Sequence, residues 1–357
     1  MFNFFKNRNP ILNSPYDITT KLVNDIIENN IKSLTINYEF TRKRNDDEPF
    51  NLYSDYRREY NPFYRANLIC PLKRIEFEII LGPKVKSLAF AFGGIDEILA
   101  DYRALPIDNF KDLEFLNLKD VSRISDMSGL FYGASSFNQD ISDWDVSNVT
   151  DFSEMFCHAT AFNQTIGKWN TCSAVDMHGM FDYAINFNSP IDTWDTSNVE
   201  HMWDMFSNAV KFNQPIGKWN TSKVKSMFRM FRYAESFNQP IEEWNVSNVS
   251  SMQMMFDHAI LFNRPLNKWK TIKLEDTLKM FRCANSFNQP LDHWDTSKIE
   301  DMGYMFYGAS SFNQPIGNWD TSKVTNMDWM FKDANSFNQS IDKWDIGRVF
   351  RKNKIYG

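Results

Sequence analysis

The sequence predicts an α/β solenoid, a stack of 25-residue β–turn–α units behind an irregular N-terminal region. Three observations predict it. Trp recurs at 144, 169, 194, 219, 244, 269, 294, 319 and 344, a spacing of 25 with no insertion or deletion. Each unit carries apolar residues at helical spacing. Each unit also carries a short segment before its Trp, opened by Pro-Ile or Pro-Leu in six of nine, that is too brief for a second helix. Fixed periods of roughly 20–50 residues mark solenoids, propellers or arrays.

Positions are counted from the Trp of each unit. In Val199-x-x-Met202-x-x-Met205-Phe206-x-x-Ala209 the apolar positions fall at i, i+3, i+6, i+7 and i+10. That spacing predicts one face of a helix of about three turns. Ser stands two residues before the Val slot in six of nine units, an N-cap choice, and Ser197-x-x-Glu200 has capping-box spacing. Pro215 to Trp219 reads as one short strand, because Pro has no N–H to give a ladder and fits where a strand begins. Such a unit cannot bury its apolar face alone. Stacked units can, at about 4.8 Å per coil, so that nine would span roughly 45 Å. The unit length lies within the range of a leucine-rich repeat, whereas a propeller blade needs about 40–50 residues and four strands.

The recurrent residues read as structure. Phe, Met, Ile and Trp supply the core. An Asn follows the second Phe of every unit, at 138, 163, 188, 213, 238, 263, 288, 313 and 338 (Asn138, Asn163, Asn188, Asn213, Asn238, Asn263, Asn288, Asn313 and Asn338). We expect a structural ladder of side-chain amides that satisfies backbone groups of adjacent coils, since buried polar groups must be paired. The Asp or Asn after eight of nine Trp is expected to cap the helix start.

Residues 1–110 lack the unit and read as an N-terminal capping region. Asp17 to Asn30 has the pattern of an amphipathic helix. Four segments, Ile31–Ile36, Leu72–Phe77, Val85–Phe90 and Leu113–Leu118, share an apolar-x-x-apolar-x-apolar strand pattern at irregular intervals. Residues 41–67 are charged and aromatic and are expected to form a long loop. The solenoid proper is assigned to 111–346, about nine repeats, and 347–357 to a basic C-terminal cap or tail.

The chain of 357 residues carries 39 Lys and Arg against 45 Asp and Glu, a net charge of −6, which argues against non-specific nucleic-acid binding. There is no apolar run long enough to span a membrane and no signal-peptide pattern at the start, so an intracellular location is expected, with the cell surface as the alternative. Four Cys without a CxxC pair indicate neither a disulfide framework nor a zinc site. No GxSxG, HExxH, GxGxxG or P-loop motif is present, and the five His (158, 178, 201, 258 and 293) sit at variable positions. No catalytic residue, cofactor or metal is expected.

The phrases DTSNVEHMWDMF and FNQPIGNWDTSKVTNMDWMF, with the recurrent FNQPI, resemble the BspA-like leucine-rich-repeat family over about residues 113–346. The resemblance implies a right-handed solenoid used for binding, with no shared catalytic residues. Surface members of that family carry a signal peptide and a lipid-attachment Cys, neither of which appears here.

Two variable surfaces remain. Positions 9 and 10 of the expected helix should point outward, yet hold Trp203, Phe228, Met254, Leu278, Tyr304 and Trp329. Such a row marks either a contact site or side chains packed between neighbouring helices. The strand face carries mixed charge, including Asp143, Lys168, Asp192, Lys218, Glu243, Lys268, His293 and Lys343. The expectation is a non-enzymatic protein–protein interaction scaffold with a protein partner. The alternatives are a surface adhesin, or an enzyme with its site in the N-terminal third.

Overall fold

The computed structural model describes residues 10–12, 22, 33–36, 74–81, 85, 88, 91 and 112–356. It opens with a parallel sheet of four strands in the order β1 (Ile11–Leu12), β2 (Ser33–Ile36), β3 (Arg74–Leu81) and β4 (Phe115–Leu118). Leu34 pairs with Ile79, and Ile75 with Leu116, so the apolar positions of three expected strand segments share one buried face. Register slips between Ile75 and Ile79, where β3 is longer than its neighbour β4. Of the fourth segment, Leu88 is buried and its N–H donates to the Asp126 carbonyl at 2.9 Å. Of the expected Asp17–Asn30 helix, Leu22 alone is described, as helical and buried, and the expected 41–67 loop lies outside the described residues.

From 119 onward the chain winds in coils of 25 residues that stack directly on one another. One parallel bridge per coil runs unbroken through residues 126, 151, 176, 201, 226, 251, 276, 301 and 326. Behind it two columns of Phe rings stack along the axis. Phe131 to Phe331 lie 5.5–5.8 Å from ring to ring. Phe137 to Phe337 lie 5.9–6.1 Å apart. Within each coil the two rings meet at 3.8–4.0 Å. Fully burying one such side chain contributes about 1.5–3 kcal/mol before the cost of ordering the chain.

The units differ from the expected β–turn–α in three respects. No residue from 113 to 356 is α-helical. The apolar positions at 5, 8, 11, 12 and 15 are all buried in the coil of Val199–Ala209, as their spacing requires. The backbone reaches that burial through consecutive tight turns instead. Met155, Cys157 and Ala159 donate to carbonyls three residues back, while Phe152, Glu154, Phe156 and His158 donate to carbonyls of the next coil at 2.7–2.9 Å. A donor given to the neighbouring coil cannot close a helical turn.

The second difference concerns the strand. The Pro215–Trp219 segment contains a turn and no bridge; pairing between coils occurs at position 7. The third concerns the cap. The Asp or Asn after Trp accepts the N–H of the Ser two residues on, as in Ser147 to Asp145, Ser197 to Asp195 and Ser322 to Asp320 at 2.9–3.0 Å. This is an Asx turn, and no helix follows it. At the C-terminal end Ile355 is buried where the earlier units have Met, and the Tyr356 ring lies 5.7 Å from Phe331.

Candidate interaction surface

The inner ladders hold the coils in a fixed register. Each Asn of the row donates its backbone N–H to the Oδ1 of the Asn one coil before, from Asn163 to Asn338, at 2.8–3.1 Å. The following Gln reinforces it, as where Gln239 Nε2 donates to the Asn213 carbonyl at 3.0 Å. A Thr two residues after Trp donates to the next coil, as in Thr196 to Asn220 O at 3.1 Å. Eight of the nine buried Trp indoles, all but that of Trp294, donate to an Ile or Leu carbonyl of the preceding coil at 2.9–3.2 Å. The sequence reading missed the Gln and Thr rows, whose signal was their recurrence at positions 20 and 2.

The variable positions 9, 10, 13 and 14 share one face of the turns, where some side chains, such as Asp204 and Asp257, are buried and others half-buried or exposed. Positions 10 and 14 have positive φ in all nine coils from residue 129 to 333, with values of 53–70°. Only Gly129, Gly133, Gly179 and Gly308 are Gly; the other fourteen are residues such as Glu154, His158, Met254, Tyr304 and Trp329. A non-Gly residue in this region costs of order 1–3 kcal/mol and persists because its surroundings over-determine it. Here the constraint is the inter-coil ladder, in which position 10 donates to position 9 of the next coil: Asp204 to Phe228, Met254 to Leu278 and Tyr304 to Asp328 at 2.8–2.9 Å.

All six residues of the apolar row, Trp203, Phe228, Met254, Leu278, Tyr304 and Trp329, are half-buried on this face. Trp203 stacks on His178 at 3.9 Å, and Tyr304 and Trp329 lie 6.0 Å apart. Cations rest on the rings of the later coils: Arg229 on Phe228 at 4.2 Å, Arg232 on Tyr233 at 5.0 Å and Lys332 on Trp329 at 3.5 Å. The mixed-charge residues expected on a strand face, Asp143, Lys168, Lys218, Lys268 and Lys343, lie in the turn before each Trp and are exposed, and Lys268 pairs with Glu243 in the preceding coil.

A charged network lies beneath the middle of the face. Fully buried Asp257 accepts two bonds from Arg282 at 2.8 and 2.9 Å and sits 2.7 Å from His258 Nδ1. The Asp257 bond, then the Cys283 thiol, pushes the His258 imidazole up to about 9. Burial, and then neighbouring Asp204, pushes Asp182 up to about 7. Burial likewise pushes Asp204 up to about 6, against the pull of Arg229 at 3.0 Å. No group of three metal-ligating side chains occurs among the described residues, and no described helix is long and apolar enough to cross a membrane.

The family described as "Mycoplasma protein of unknown function, DUF285" matches the chain in three overlapping stretches, residues 107–215, 181–292 and 262–357. These stretches run without a gap over more than half of the chain, and the chain belongs to that family. No curated protein and no solved structure matches it.

Proposed function

We propose, starting from membership in this repeat family, that the chain is a non-enzymatic protein–protein interaction scaffold whose partner docks along Trp203, Phe228, Met254, Leu278, Tyr304 and Trp329. One observation carries the reading. The left-handed positions of this face hold fourteen side chains where Gly would cost less, Met254, Tyr304 and Trp329 of the row among them and Trp203, Phe228 and Leu278 beside them in sequence at position 9, and those side chains differ from coil to coil. Side chains retained against a conformational cost, on a frame that is otherwise uniform, suit recognition better than folding. The same reading takes the winding as right-handed and BspA-like, residues 1–110 as the N-terminal cap, the Asn row as a structural ladder, and the site of action as the interior of a cell.

The test is a crosslinked pull-down from the native host cell, comparing the wild type with a variant carrying Trp203→Ser, Phe228→Ser and Trp329→Ser. Circular dichroism and thermal melting must first show that the variant is folded. A partner captured by the wild type and lost by the variant supports docking on this face. The same partners on both would move the site to the strand face or the N-terminal region.

A further inference from the structure

We infer that the docking face is built for an acidic, extended protein segment, received at its C-terminal end by Lys279, Lys332 and Lys354. The inference rests on the docking face proposed above and names the chemistry of its partner. Tyr304, Tyr307 and Trp329 form a triangle of rings 5.9–6.3 Å apart. Around it Lys279 Nζ lies 5.4 Å from the Tyr304 centroid, and Lys332 and Lys354 lie 3.5 and 5.3 Å from that of Trp329. None of the three lysines forms an ion pair among the described residues, whereas Lys225 and Lys268 on other faces do. The nearby carboxylate of Asp328 is engaged elsewhere, with Arg351 at 3.3 Å. The patch therefore presents uncompensated positive charge over aromatic surface on a chain whose net charge is −6.

Two features favour a peptide over a nucleic acid. The Trp329 ring is already engaged by two lysines and two tyrosines, which leaves little π surface on which a base could stack. Geometry supplies the second feature. Lys279 and Lys354 occupy position 10 of coils three steps apart, about 14 Å at the usual strand spacing, and an extended chain covers that in about four residues. Alternate acidic side chains would then face the lysines, while the residues between them lie toward Tyr304 and Trp329 in the two intervening coils.

The test is fluorescence anisotropy of the full chain with a dye-labelled peptide of alternating Glu and Leu. An alternating Lys–Leu peptide and an oligothymidylate serve as comparisons. The expected result is binding of the Glu–Leu peptide that weakens with salt and falls about tenfold or more in the variant Lys279→Gln, Lys332→Gln, Lys354→Gln. Gln keeps most of the stem, and an unchanged melting temperature shows that the fold is intact. No binding of the Glu–Leu peptide, equal binding by the variant, or tighter binding of oligothymidylate overturns the inference. The lysine variant also enters the host-cell pull-down. A partner lost with the Trp and Phe substitutions but kept by the lysine variant sinks the acidic-segment inference and leaves the docking face standing.

Discussion

Asn238 shows how one polar residue can be indispensable to a hydrophobic stack. Its Oδ1 accepts the N–H of Asn263 at 3.0 Å, its own N–H donates to Asn213 at 2.9 Å, and its carbonyl takes Arg264 Nε at 2.7 Å. Asn238→Ala leaves the Asn263 N–H without an acceptor and should cost about 1–3 kcal/mol; an unchanged melting curve would refute the structural role proposed for this row. A second residue departs from its ladder. The His293 ring nitrogen lies 3.2 Å from the Leu266 carbonyl, which its position in the repeat marks out for the Trp294 indole, and the buried Trp294 Nε1 has no partner among the described residues. Four other units place Lys at this position, at 168, 218, 268 and 343. His293→Lys should free the carbonyl and stabilise the chain by about 0.5–1.5 kcal/mol, read as a higher denaturant midpoint. At this scale the sequence was highly legible. A polar residue repeated in every unit must have a repeated partner, and recurrence pointed to the Asn row. The His293 exception was not legible, because it depends on two side chains reaching for one carbonyl.

At the scale of the element, the turn run from 199 to 209 explains why a helix was expected and absent. Turns that close every three or four residues bury the same positions as a helix does, so the apolar period alone does not separate the two. What separates them is where the backbone donors go, and from Asp204 to Ala209 every other one goes to the next coil. The left-handed residues give the difference a measurable sign. Lys279 has φ 57°. In a helix Gly would be less stable than Ala by about 1 kcal/mol. Here Lys279→Gly should be more stable than Lys279→Ala by about 1 kcal/mol. Melting the two variants side by side decides between the conformations, because a helical segment reverses their order. The N-terminal strands were legible for the opposite reason. The spacing of Leu34 and Ile36, and of Leu116 and Leu118, is the two-residue period of a strand buried on one face.

For the whole molecule, the buried charges beneath the face couple folding to pH. Asp182 and Asp204, raised to about 7 and about 6, hold a proton more tightly folded than unfolded, where a carboxyl titrates near 3.9. Stability therefore falls as pH rises from about 4 to 7. His258, raised to about 9, contributes fully below its unfolded value near 6.5 and loses that contribution as pH rises through about 9. The terms share a sign, so the chain should be more stable near pH 5 than near pH 8.5, by about 2 kcal/mol or more. Asp257, held below the ordinary carboxylate range by His258 and Arg282 despite its burial, acts in the opposite sense only in stronger acid. Asp182→Asn keeps an acceptor for Asn208 and should flatten the profile between about pH 4 and 7, raising stability near pH 8 by about 1–3 kcal/mol. Denaturant midpoints measured across that range give the slope.

Every interior coil hands the same bonds up and the same bonds down, from Asn N–H to Asn Oδ1 and from one bridge residue to the next. By these shared bonds a coil fits beside any other, while the Arg229–Asp204 and Arg282–Asp257 pairs tie particular neighbours. Where no such pair crosses, a block of 25 can be exchanged with the shared Asn and bridge bonds kept. On the docking reading proposed above, specificity would be a matter of sequence order along the stack, spelled in half-buried side chains and edited one coil at a time.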